Sequence, residues 1–72
     1  MARNETITGT IIGLRDCGTL IIILVDAGDG RTLPIPMCHR AFRHLLEGEG
    51  CGSTELVGRS VSYNDDLMTF LD

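Results

Sequence analysis

Lysine and tryptophan are both missing from this chain of 72 residues, and its aromatics are few: Phe42, Tyr63 and Phe70. The six basic side chains are therefore all arginine, set against ten acidic ones, for a formal net charge of -4. That balance excludes a generally basic nucleic-acid coat and leaves room only for a local basic patch. Cysteine is also scarce. Cys17, Cys38 and Cys51 are odd in number and cannot close a disulfide framework. The longest apolar run, Leu20 to Val25, has six residues, where a membrane helix needs about 20. Met1 to Glu5 shows no hydrophobic signal core. The expectation is one small domain over 1–72, soluble and cytoplasmic, with reduced thiols.

Chemistry-bearing motifs are absent too. There is no Walker-type glycine loop, nucleophile elbow or HExxH pattern. Asp16 beside Cys17, and Asp26 and Asp29 around a glycine turn, read as turn chemistry rather than acid–base catalysis. Cys38, His39, His44 and Cys51 carry the right donor atoms for zinc but lack ligand spacing, and Cys38 falls on the opposite helical arc from His44. Cys38 reads as a small core residue and Cys51 as a loop thiol. The chain is expected to be non-enzymatic, with no metal and no cofactor.

What is present is strand pattern. Thr6 to Leu14 places Ile7, Gly9, Ile11 and Gly13 on one face, with glycines where a strand bends or another element approaches. Arg15 to Gly18 is a turn. Thr19 to Val25 is β-branched and apolar on both faces, so both faces need cover. Ala27 to Gly30 is a second turn. The next strand, Arg31 to Met37, carries Pro34 and Pro36, whose missing N–H donors fall on the same side. This strand is expected at a sheet edge, or at a seam where a barrel stays incompletely closed.

The period then changes. Cys38, Ala41, Phe42, Leu45 and Leu46 follow helical spacing, while His39, Arg40, Arg43, His44 and Glu47 take the opposite arc. Gly48 and Gly50 supply the stop, and no side chain suited to an N-cap precedes the helix. Leu56 to Tyr63 and Leu67 to Leu71 read as two closing strands.

Three strands, a helix and two strands, with a bent glycine-containing first strand, resemble the OB-fold, a five-stranded Greek-key barrel. The resemblance runs from Thr6 to Leu71 and lies in element order. An SH3-like barrel is the alternative. The resemblance implies a mainly β barrel with one helix between strands 3 and 4, and leaves several functions open.

Two surfaces stand out. The helix gathers His39, Arg40, Arg43 and His44, holding both histidines and two arginines of an acidic chain. Guanidinium forks match carboxylate and phosphate oxygens, so this face suits an acidic protein partner or nucleic acid. Charge gained by the histidines at mildly acid pH would strengthen an anion contact. A solvated face, with Arg43 and Glu47 as an i,i+4 pair, is the plainer reading. Single-strand binding also wants exposed aromatics and phosphate-tracking cations, both in short supply, so nucleic acid is the alternative rather than the leading partner. The second surface is the two-sided apolar strand. A chain this small gains stability by oligomerising, and Ile21, Ile23 and Val25 are the residues expected to mediate self-association. The leading expectation is a small interaction module that forms a homo-oligomer and offers the Arg/His helix face to an acidic protein; OB-type single-stranded nucleic-acid binding is the alternative.

Overall fold

The structure is a computed structural model that describes residues 6–64 and 67–71. One five-stranded antiparallel sheet runs β1 (Ile7–Asp16), β2 (Leu20–Asp26), β3 (Thr32–Cys38), β4 (Ser60–Asn64) and β5 (Leu67–Phe70). A helix, α1 (His39–Glu49), and a short 3-10 turn, Ser53–Glu55, lie between β3 and β4. Spatial order is β3-β2-β1-β4-β5. Two hairpins build β1 to β3, and the long connection through α1 returns β4 to the free side of β1, which is Greek-key order. The sheet is not closed: β3 and β5 are its two edges.

The turns form where short acidic side chains can hold the backbone. Asp16 Oδ1 accepts the Gly18 N–H and Asp26 Oδ1 the Gly28 N–H, each at 2.9 Å. In the second turn the Arg31 N–H donates to Asp29, and the Arg31 guanidinium lies 2.8 Å from the same carboxylate. The backbone donor, aided by that cation, holds the Asp29 carboxyl below its ordinary 3.8. α1 follows an N-cap at Cys38 that makes no side-chain cap bond, and it stops at Gly50, which takes φ 67° and ψ 33°. The left-handed cap follows from glycine's missing Cβ.

The core is aliphatic: Ile11, Ile21, Ile23, Val25, Ile35, Leu56 and Val61, with Phe42 delivered by α1. Gly9 makes the coiling of β1 possible. A Cβ there would run into the Asp26 carbonyl oxygen and come within 2.7 Å of Val25 Cγ1.

Several expectations shift. β1 continues to Asp16, past the turn expected at Arg15, because its pairing with β2 runs from Thr10↔Asp26 to Asp16↔Ile21. Between Ile11 and Gly13 the register slips by one residue, a bulge that moves Gly13 to the outer face and turns Leu14 inward. The strand expected from Leu56 starts only at Ser60. Before it, Leu56 drops into the core from a turn and Val57 is left 49% exposed. The Gly58 N–H donates to Ile11 C=O, and the Ile11 N–H donates to Arg59 C=O, at the bulge. Cys38 is exposed rather than in the core, because it is the last residue of β3 and lies outside α1.

Ile21, Ile23 and Val25, expected at a contact between copies, are 8%, 0% and 1% exposed within the single chain. They belong to its own core. The outward row of β2 is Leu20, Ile22, Leu24 and Asp26.

Arg59 fastens the end of α1 to the last hairpin. Its guanidinium lies 3.2 Å from Glu49 Oε1 and 4.6 Å from the centroid of the Phe70 ring. Arg59 and Glu49 side chains are 23% and 33% exposed, so water screens the contact only in part. Arg59→Ala is expected to cost about 1–2 kcal/mol in urea unfolding. Arg59→Lys should restore only part of that, since an ammonium lacks the planar fork. Equal stability of all three proteins would show the contact to be inert.

Candidate functional site

The four polar helix residues do not act as one group. His39, the first residue of α1, turns back to the β1–β2 turn, where Nε2 lies 2.9 Å from the Gly18 carbonyl oxygen and 3.7 Å from Asp16 Oδ1. It ties the helix start to that turn. His44 stays 75% exposed, with Nδ1 4.0 Å from Glu47 Oε1. The i,i+3 neighbour, and not Arg43, thus meets Glu47. Arg40 and Arg43 are exposed and form no ion pair with another described residue, whereas Arg31 and Arg59 both do.

Next to this face lies a groove of about 310 Å³, lined by Ile35, Pro36, Met37, Ala41, Leu45, Tyr63 and Met68. It is the open seam of the sheet: one wall is β3, the other β4 and β5, and α1 forms its roof. The prolines account for the opening. Pro34 and Pro36 pair with Leu24 and Ile22 of β2, while Leu33, Ile35 and Met37 pair with Val25, Ile23 and Ile21. Proline has no N–H, so the ladder to β2 is donated by Leu33, Ile35 and Met37, and the free edge of β3 shows carbonyls without donors at 34 and 36. A neighbouring strand finds half a ladder there, and the seam stays open.

Helical geometry sets Arg40 and His44 beside this groove. Ala41 and Leu45 line it, and at 100° per residue His44 and then Arg40 follow Ala41 round the helix toward solvent. An apolar channel is thereby bordered on its helix side by a guanidinium and an imidazole. Tyr63 is half-buried and forms part of the wall. Phe42 is buried, and Phe70 lies against Arg59, so neither offers a free ring face for a base.

A second cleft, also of about 310 Å³, is lined by Thr6, Ile7, Thr8, Ala27 and Arg31, whose guanidinium is already held by Asp29. All three thiols are free; Cys17 and Cys38 are exposed and Cys51 packs against the core. Among the described residues no three His, Cys, Asp or Glu side chains gather closely enough to hold a metal ion. No helix among them is long and apolar enough to cross a membrane.

Sequence reasoning missed the groove, because its walls come from β3, α1, β4 and β5. The signal that pointed to it was the proline pair. Compared with protein-family models, curated proteins and solved structures, the chain matches none.

Proposed function

We propose that this chain is a non-catalytic interaction module that takes an extended acidic segment of a protein partner along the seam between β3 and β5, and that its sheet is a partly open, OB-like barrel. Strand order and the position of α1 between β3 and β4 support the barrel reading. One observation carries the functional reading. Two exposed arginines without ion-pair partners among the described residues stand on the helix that roofs an apolar groove, in a chain of net charge -4. A segment with alternating aliphatic and acidic side chains meets both features: the aliphatic groups fill the channel and a carboxylate reaches Arg40 at its border, while Arg43, about 160° round the helix from Ala41 and Leu45, adds attraction at longer range. The acceptor-only edge of β3 adds places for the segment's own N–H donors.

The test is fluorescence anisotropy of a labelled peptide of alternating leucine and glutamate, run beside labelled oligothymidylate, at low and high salt. Saturable peptide binding is expected, weakening with salt, with Arg40→Ala reducing affinity about three- to tenfold and Arg43→Ala, on the far side of the helix from the groove, reducing it less. Saturable oligothymidylate binding that the arginine substitutions weaken would reassign the face to nucleic acid. Binding of neither probe at low salt would overturn the proposal.

A further inference from the structure

The outer face of the β1–β2–β3 sheet is a second surface, which meets the seam at Pro36. Outward on β2 stand Leu20, Ile22, Leu24 and Asp26. Register places Arg15 and Pro36 on either side of Ile22, and Gly13 and Pro34 on either side of Leu24. The bulge adds Ile12, 50% exposed, and Leu20 is 39% exposed. The result is an aliphatic face with one cation partway along it and one carboxylate at its end. Arg15 is exposed and forms no ion pair with another described residue.

We infer that this face binds a second copy of the same chain, with the β2 strands antiparallel across a two-fold axis. The placement of charge selects that occupant and that direction. With the axis perpendicular to the strands and midway between Ile22 and Leu24, the aliphatic rows superpose. Each Arg15 then lies over Gly13 of the second copy, whose missing side chain leaves room. Asp26 of that copy is one strand and two residues away, about 8 Å, within the reach of an arginine. The pair forms twice, as an isologous contact requires. An axis along the strands would instead stack Asp26 on Asp26 and leave Arg15 over the far strand, so it is excluded by like charge. Two sheets packed in this way lie about 10 Å apart, a spacing the aliphatic rows fill. The footprint, three strands by seven residues, is about 300 Å² per copy, well under the ~800 Å² of a standard interface, so association at micromolar concentration or weaker is expected.

Light scattering on the full chain from about 10 µM to about 1 mM reads the mass directly. The mass should rise from 7.8 kDa toward double that value as concentration increases. Leu24→Glu, which points outward and leaves circular dichroism unchanged, should weaken association by about tenfold or more. Arg15→Glu should weaken it several-fold, and Arg15→Glu combined with Asp26→Lys should recover it. Methyl resonances of Ile22 and Leu24 should shift with concentration, while those of Ile23 stay fixed, a readout that needs no variant. None of these changes touches the seam, so acidic-peptide binding by Leu24→Glu should match the parent and keeps the two proposals apart. A mass of 7.8 kDa throughout the range would overturn the inference. So would association that survives both Leu24→Glu and Arg15→Glu.

Discussion

Replacing Gly9 by alanine is expected to be among the most damaging single-methyl additions the chain can receive. The new Cβ would clash with the Asp26 carbonyl oxygen, and Val25 Cγ1 would stand 2.7 Å away. Backbone cannot rotate aside as a flexible side chain does, so β1 and β2 must separate. Overpacking of this kind costs about 1–3 kcal/mol. A single core below about 80 residues supplies only about 3–5 kcal/mol in total. Gly9→Ala should therefore lose most of its cooperative urea transition and populate unfolded chain at room temperature. Gly13→Ala is the control: its Cβ would meet Leu24 Cδ1 at an ordinary 3.8 Å. That variant should stay within about 0.5 kcal/mol of the parent, or gain slightly from a less mobile unfolded chain. Equal behaviour of the two alanines would contradict the close approach at Gly9.

The second large effect separates two adjacent residues on β2. Ile23 is 0% exposed and Leu24 lies on the outward row. Ile23→Glu would place a carboxylate among Ile11, Val25, Ile35 and Val61, and no buried polar or charged residue stands among the described residues to pair with it. A buried unpaired charge costs several kcal/mol, as much as the whole fold contributes. Ile23→Glu should fail to fold or collect in the insoluble fraction. Leu24→Glu should remain folded, with a circular dichroism spectrum like the parent's. A folded, soluble Ile23→Glu would mean that β2 is registered one residue away from its place here.

That contrast also shows what the residues could and could not convey. Leu20 to Val25 is apolar at every position, so alternation, the usual guide to the buried face of a strand, was silent there. The hairpin with β1 decides the parity, and its register depends on a bulge at Ile12, which follows another isoleucine and carries no mark of its own in the sequence. The helix was legible because Phe42, Leu45 and Leu46 repeat at its period. β3 was legible as an edge because prolines leave few places to stand in a sheet. Leu56 and Val57 looked like strand residues, yet the hydrogen bonds that join the Gly58 N–H to the Ile11 C=O and the Ile11 N–H to the Arg59 C=O bend that segment before β4 begins. His39 looked equivalent to Arg40 and Arg43, and only the folded β1–β2 turn separates it from them. Arg59 gave no local signal, since its partners lie 10 and 11 positions away in the chain. Charge and period in α1 were thus readable from the chain, whereas the groove beside them depends on elements far apart in sequence.

The carbonyl-lined edge of β3 bears on how the protein survives at high concentration. Thr-Leu-Ile-Ile-Ile-Leu-Val is the kind of segment that nucleates fibrils, being β-branched, uncharged and free of proline. In the folded chain it is shielded on one side by β1 and on the other by β3. A second β3 laid against the first would set carbonyl against carbonyl at positions 34 and 36, where neither strand has a proton to give. Growth by edge-to-edge addition of like strands is therefore blocked on that side, and it is blocked by covalent structure that no change of pH or salt can undo.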